Sequence, residues 1–520
     1  MKPFNKFFPQ KLLFLLLSTW VLLAVIPAGA QDGPPQTTPW DEPVGISPAE
    51  DWSWFPDMAL DPYGVLHTIW CWTRPHPNTS GLIEQIKYVR LQGGAWENVN
   101  DIIPPSADIE RNALAADLLG NLHITYGGST YGNFEITYQH APVADAWSAQ
   151  EWSPPFRLNQ GGGYNSDIAV SSNGTLHVVF DDLVYEENAD LDDVILSDIY
   201  YRKSSDGGET WSWPRALQPH IETGSARPAL LIDRNNTIHV TWDEGWDRLT
   251  GNQSEEYYSV YMSSSDGGET WSEPRTINYP DHQVAQLTVG SDNQRGVMLV
   301  WRSMDQAAIF YQWSGNQGQT WSQVQAIDGI FARDWMFPHD MYQMATDSDG
   351  RIHLFVAGRL SLERDTPVGI YHLIWNNGAW TAPIEVFARE NLFPFYPKAA
   401  IQNGNEIHLA WFTKENNEWG EDVPRVIWYS RRTVNAPRQI ASPWPTYTAT
   451  PSPAPATRVP QATPTPVPDF NSIATPAPPG LIKPNPYTER DELAMLGLSL
   501  LPVALLLGGL FAIRWIRGKR

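Results

Sequence analysis

The chain has 520 residues, a formal net charge of −23 and one cysteine, Cys71. A lone cysteine excludes an intrachain disulfide and a thiolate metal cluster. The acidic balance sets nucleic acid aside as a partner, because phosphate backbones select basic surfaces, and it weighs against polyanions unless basic groups gather locally.

The N-terminus opens with Lys2, Lys6 and Lys11, an apolar run from Leu12 to Ile26, and the small-residue exit Pro27-Ala28-Gly29-Ala30. A basic start, a short apolar middle and a small-residue end predict a secretory signal peptide over residues 1–30. From 40 to 440 one segment recurs seven times: a turn, then a short strand carrying His and ending on an aromatic or apolar residue. His67, His123, His177, His239, His353 and His408 share one position, with Met298 in the fifth copy. An apolar strand precedes each copy, a strand ending near Tyr follows most of them, and a turn with Trp leads to a fourth strand. Four short strands per unit predict an all-β fold, a seven-bladed β-propeller over 40–440, with six blades as the alternative count. The seventh unit lacks a fourth strand with Trp, whereas Trp40 to Ile46 matches that strand and precedes the first unit. The N-terminal segment is therefore expected to complete the last blade and remove open sheet edges.

Residues 441–488 are rich in Pro and Thr, which predicts an extended, disordered stalk. Leu493 to Ile513 carries no charge, and Arg514, Arg517, Lys519 and Arg520 follow it. This predicts a transmembrane helix over 493–513 with a basic cytoplasmic tail over 514–520. The expected location is the cell membrane, single-pass, with the body outside. Without the leader lysines and the basic tail, the part between carries a charge of about −30.

Two turns read Ser-x-Asp-x-Gly-x-Thr-Trp: Ser204, Asp206, Gly208 and Trp211, then Ser264, Asp266, Gly268 and Trp271. A third has Ser314, Asn316, Gly318 and Trp321, with Asn in the Asp place. Asp accepts bonds from turn amides and from the Ser hydroxyl, Gly permits positive φ, and Trp packs between sheets. These Asp boxes resemble those of the sialidase-like, or BNR/Asp-box, β-propeller superfamily across about residues 40–440. The resemblance implies that the boxes are structural and lie away from the ligand site. That family's sialidases have six blades, so a count of seven is a departure.

In a propeller, the loops after second strands and before first strands gather at one end of the central channel. That end is the expected ligand site. Its candidates are Trp54, Arg111, Asp167, Arg227, Trp246, Arg302, Arg333, Asp340 and Tyr396, a mixture of aromatic planes and charges suited to sugars. The resemblance implies, for an enzyme, three Arg on a substrate carboxylate, a Tyr nucleophile assisted by Glu, and an Asp acid/base. The family's Arg-Ile-Pro motif is absent. Arg227-Pro228 is the nearest match, Tyr396 a candidate nucleophile, and Asp243 and Glu244 candidate acids, although adjacent residues on a strand face opposite ways. The leading expectation is a surface-displayed propeller that binds glycans or proteins through this rim. The alternative is an exo-α-sialidase or related glycoside hydrolase. No cofactor or metal is expected, except that the acidic loop Glu186 to Asp193 offers ligands of the kind Ca²⁺ takes.

Overall fold

The computed structural model describes residues 37–75, 82–103, 108–129, 134–184, 196–219, 224–246, 253–333, 341–363, 365–376, 378–415 and 424–439. The expected signal segment, stalk, apolar C-terminal run and basic tail lie outside the described residues. So does the acidic loop from 186 to 193. No helix among the described residues is long and apolar enough to cross a membrane.

The body is all-β and β-propeller-like, with antiparallel sheets following one another along the chain. The third repeat shows the unit: Ser166–Val170, Leu176–Val184, Leu196–Ser204 and Arg215–Ala216 pair in chain order. Consecutive side chains Val178, Val179 and Phe180 are all fully buried. Both faces of the sheet are therefore covered, as sheets stacked one on another require. Val179 packs with Val240 and Trp242 of the next repeat, so the core runs from sheet to sheet.

The two ends of the body meet in one nine-stranded sheet. Val44 pairs with Tyr429 and Gly45 with Trp428, while the Thr38 and Asp41 amides donate to the Thr433 and Arg431 carbonyls at 3.0 and 2.9 Å. The N-terminal segment thus joins the last repeat, as its sequence pattern requires.

A second relation links neighbouring repeats. The repeated His faces a third-strand tyrosine, as in His123 Nδ1 to Tyr138 Oη at 2.8 Å and His177 Nδ1 to Tyr201 Oη at 2.7 Å. That tyrosine meets, edge-on, the box Trp of the following repeat: Tyr138 with Trp211, Tyr201 with Trp271 and Tyr261 with Trp321; Tyr311 of the Met298 repeat meets Trp380 of the next in the same way. His372 stands in the tyrosine place of the sixth repeat and meets Trp40, and Tyr429 of the last repeat meets Trp96 of the first. The repeated His is a packing and hydrogen-bonding residue.

The repeated His also sets the register of the first strands. Opposite it stand Ala59, Ala115, Ala169, Leu231, Ala345 and Ala400, with Gly290 opposite Met298. Two residues earlier come Asp57, Ala113, Asp167, Ala229, Thr288, Gln343 and Lys398. All of these but Ala113 line one cavity of about 150 Å³ shared by the first strands. Two residues earlier again lies a tier of Phe55, Arg111, Asn165, Arg227, Gln286, Met341 and Tyr396, toward the end where the site is expected.

Candidate functional site

The tier is shaped by β-bulges. Register shifts fall between Trp54 and Asp57, Ile109 and Arg111, Ala226 and Ala229, Ala285 and Thr288, and Phe395 and Lys398. One extra residue per strand bends the chain and re-aims a side chain. At four of these bulges the tier residue has positive φ: Phe55 at +52°, Arg227 at +57°, Gln286 at +58° and Tyr396 at +55°. Bulky residues in that region are strained by ~1–3 kcal/mol each.

One side of the tier is a stack of cations and rings. The Arg111 guanidinium lies 4.3 Å from the Phe55 ring centre and 5.0 Å from that of Tyr396. Trp54 stacks on Phe55 at 5.2 Å, and Arg425 sits 4.6 Å from the Trp54 ring. Close by in sequence, Arg333 covers Phe395 at 3.8 Å, with Lys414 at 5.7 Å from the same ring. Arg302 donates to the Arg333 carbonyl at 2.6 Å. Arg111, Arg302, Arg333, Lys414 and Arg425 are all buried. Five buried cations thus lie on this side of an acidic chain.

The other side is built around Asp243. Arg227 donates to its Oδ2 through Nε at 2.9 Å and lies within 2.7 Å through Nη2. Ser259 Oγ donates to Oδ1 at 2.6 Å, and the Gln286 amide donates to Oδ2 at 3.0 Å. Burial pulls the Arg227 pKa down, Asp243 opposes this, and the charge of Arg111 adds to the lowering, so the two arginines feel each other. Glu244 accepts from Ser225 Oγ at 2.8 Å and from Trp242 Nε1. Asp243 and Glu244, candidate acids from sequence, are engaged in holding strands together.

Asp167 lies one level deeper, in the channel cavity. It accepts from the Leu230 amide at 2.8 Å and from its neighbour Ile168 at 3.0 Å. Burial pushes its pKa up to about 6, with Lys398 opposing and Asp57 adding. Lys398 Nζ is 3.7 Å from Asp57. Asp181 and Asp182 serve the loop before the third repeat: Asp181 takes the amides of Tyr164 and Asn165, and Asp182 those of Gln160 and Gly161. The Trp246 side chain and Asp340 lie outside the described residues. Among the described residues, no three His, Cys, Asp or Glu side chains are grouped to hold a metal ion.

Of the sequence candidates, Trp54, Arg111, Arg227 and Tyr396 gather at the tier, Arg302 and Arg333 adjoin one another, and Asp167 stands below. Sequence reasoning missed Phe55, Asn165, Gln286, Lys414 and Arg425. A count backward from the repeated His locates the tier residues. The Pro that follows Phe55, Arg227 and Tyr396 marks the same place.

The Asp boxes sit at the opposite strand ends. Ser204 Oγ donates to Asp206 Oδ1 at 2.7 Å and accepts the Gly208 amide at 2.9 Å, while the Thr210 amide donates to Asp206 at 2.9 Å. The second and third boxes repeat these bonds.

Residues 143–365 match the family model described as BNR repeat-like domain. No curated protein matches the chain in sequence. Among solved structures, the chain is similar to a protein of unknown function from Dyadobacter fermentans, with 16% identity, a TM-score of 0.45, and coverage of 76% of this chain and 98% of that one. It is also similar to the NanB sialidase of Streptococcus pneumoniae, with 13% identity, a TM-score of 0.42, and coverage of 76% and 71%. An ulvan lyase solved with a glucuronate–rhamnose 3-sulfate unit is similar at 13% identity and a TM-score of 0.49, over 75% and 95%. The matched stretch of this chain is thus similar to a BNR repeat-like domain.

Proposed function

We propose that the body is a seven-bladed propeller that binds acidic glycans at its tier end, outside the cell, displayed from the membrane by the stalk and the C-terminal helix. The blade count is supported by the tyrosine-to-Trp relation, which passes from Tyr429 in the last repeat to Trp96 in the first. The observation that carries the ligand class is the burial of Arg111 between Phe55 and Tyr396, beside Arg227, in a chain of net charge −23. Rings of this kind pack on the C–H faces of sugars, and guanidinium groups bind carboxylate or sulfate with paired hydrogen bonds. Binding without turnover is the preferred reading, because Asp243 and Glu244 are tied into the strands that carry them.

The test is an array of neutral and acidic oligosaccharides probed with the full-length protein in detergent. Acidic glycans are expected to bind, with loss of about tenfold or more in Arg111→Ala. Selective capture of neutral glycans, or none, would remove the proposal. Release of fluorophore from a sialoside by the wild type, lost in Arg227→Ala, would replace it with the hydrolase.

A further inference from the structure

Gln286 occupies the tier position of the fifth repeat, is 1% exposed, and has φ of +58°. Neither its Oε1 nor its Nε2 has a hydrogen-bond partner among the described residues. Turning the amide end for end exchanges the two atoms and leaves both unpartnered. Its main-chain amide is fixed on Asp243 Oδ2, the same oxygen that takes Arg227 Nε, so Gln286 and Arg227 stand side by side. Asn165 holds the equivalent position in the third repeat and is 4% exposed. Its Nδ2 donates to Asp181, and its Oδ1 has no partner among the described residues. Arg227 lies in the repeat between them.

A buried carboxamide with nothing to bond destabilises a fold, and a glutamine forced to positive φ destabilises it further. Packing does not require the residue: the same position holds Phe, Met and Tyr in other repeats. A group kept against both penalties, at the strained end of a channel, is one that a ligand completes. The spare chemistry is specific: an NH₂ donor with an acceptor beside it at Gln286, and one further acceptor at Asn165. Two hydroxyls satisfy it, one exchanging both bonds with Gln286 and one donating to Asn165 Oδ1.

We infer that Asn165, Arg227 and Gln286 form an arc that reads hydroxyls on one edge of the sugar whose acidic group lies toward Arg111. This rests on the acidic-glycan reading. Asn165 and Gln286 are then specificity-determining residues, and the stability lost at Gln286 is the signature of that role.

The experiment uses the full-length protein in detergent with three probes: 3′-sialyllactose, trigalacturonate and a chondroitin sulfate hexasaccharide. Affinity and melting temperature are measured for the wild type, Gln286→Met and Gln286→Glu. Met keeps the length and removes the polar atoms. Glu keeps the shape and removes the donor. Gln286→Met is expected to melt higher by ~2 °C and to bind whichever probe the wild type binds about tenfold more weakly or worse. Gln286→Glu is expected to weaken binding as well. A lower melting temperature in Gln286→Met, whether slight or through failure to fold, makes the amide structural and overturns the inference. Unchanged affinity in both variants overturns it while leaving the glycan reading in place. A wild type that binds none of the three overturns both.

Discussion

The two ends of the same strands are built on opposite terms. At the box end, one residue set recurs and does one job: Ser204, Asp206 and Gly208 make the bonds that Ser264, Asp266 and Gly268 make again. At the tier end, one register position recurs while its residue changes from Phe55 to Arg111, Asn165, Arg227, Gln286, Met341 and Tyr396. The first two box turns take positive φ only on glycine, where it costs least, and the third takes it on Gly318 and on Gln317. The tier takes it on Phe, Arg, Gln and Tyr. Repetition at fixed chemistry holds the ring together. Variation at fixed geometry is what gives a symmetric scaffold its candidate site.

The largest effect expected from this contrast is at the box glycines. Gly208 has φ of +97°, and an added Cβ would lie 1.9 Å from Tyr138 Oη. Gly268 has φ of +84°, with Tyr201 Oη at 2.1 Å. Gly318 also has positive φ, yet its nearest neighbour, Trp321, is 3.5 Å away. Gly208→Ala and Gly268→Ala should each lose ~4 kcal/mol or more, through strain and through displacement of a buried tyrosine. Gly318→Ala should lose only ~1 kcal/mol, the strain alone. Urea unfolding of the three variants checks the order. Equal losses would mean that the tyrosine-to-box contact does not hold neighbouring repeats together.

Next in size is the buried pair at the tier. Asp243 receives Arg227, Ser259 and the Gln286 amide, and Asp243→Ala takes the carboxylate away from a buried guanidinium and from both of the other donors. The expected loss is ~3–5 kcal/mol, read by the same unfolding curves. Arg227→Met leaves the Asp243 carboxylate without its cation but still bonded by Ser259 Oγ and the Gln286 amide, and should lose less. If Arg227→Met proves as damaging as Asp243→Ala, the pair is a stability device rather than a positioning one.

Most of the scaffold was legible in the sequence because its determinants are local. Ser-x-Asp-x-Gly-x-Thr-Trp specifies its own turn within eight residues, and the repeated His and its tyrosine lie on adjacent strands. Even the joining of the N-terminal segment to the last repeat could be read, since one unit lacked a strand that another segment supplied. The candidate site was legible only in part. Arg111, Arg227 and Tyr396 announced themselves by type and by place before a first strand. Phe55 and Gln286 did not: a phenylalanine there reads as core, and a glutamine reads as surface. Their roles depend on a bulge, whose positive φ has no sequence signature beyond the proline after Phe55, Arg227 and Tyr396. The partners of Asp243 and Glu244 were not legible either, because they come from the adjacent strands of the same sheet and, for the Gln286 amide, from the next repeat.

A pH series separates the two ends more gently. Burial depresses the His177 pKa to about 4, with the Lys203 charge adding, and burial depresses His408 to about 4, with Arg431 adding. Their Nε2 partners are Ser171 and Gln402, not carboxylates. The unfolded imidazole titrates near 6.5. As pH falls from about 6.5 to about 4, the unfolded chain takes up protons that the folded chain refuses, so stability declines across that window and levels off below it. Asp167, raised to about 6 by burial and by Asp57 against Lys398, acts the other way: the folded state takes its proton first, and this returns some stability between pH 6 and 4. Melting temperature followed from pH 7 to 4 should therefore fall in the wild type. It should fall less in His177→Asn/His408→Asn and more steeply in Asp167→Asn. Superimposable curves for the wild type and the double variant would show that these histidines are protonated in the folded state.

The smallest effect is predicted by the chain's own third box. Asp206 accepts from Ser204 Oγ, the Thr210 amide and Thr210 Oγ1. Asn316 accepts from Ser314 Oγ and the Thr320 amide, each at 2.9 Å, and its Nδ2 faces Thr320 Oγ1 at 2.9 Å. The threonine hydroxyl reverses from donor to acceptor, and the number of bonds stays at three. Asp206→Asn therefore loses only the charge assistance of exposed bonds, ~1 kcal/mol or less. Thr210→Val in the Asp206→Asn background should lose more than the first change did, because it removes the group whose reversal makes Asn acceptable. If Asp206→Asn instead unfolds the body, the carboxylate charge is required at the box end, and the third box is held by something other than its own turn.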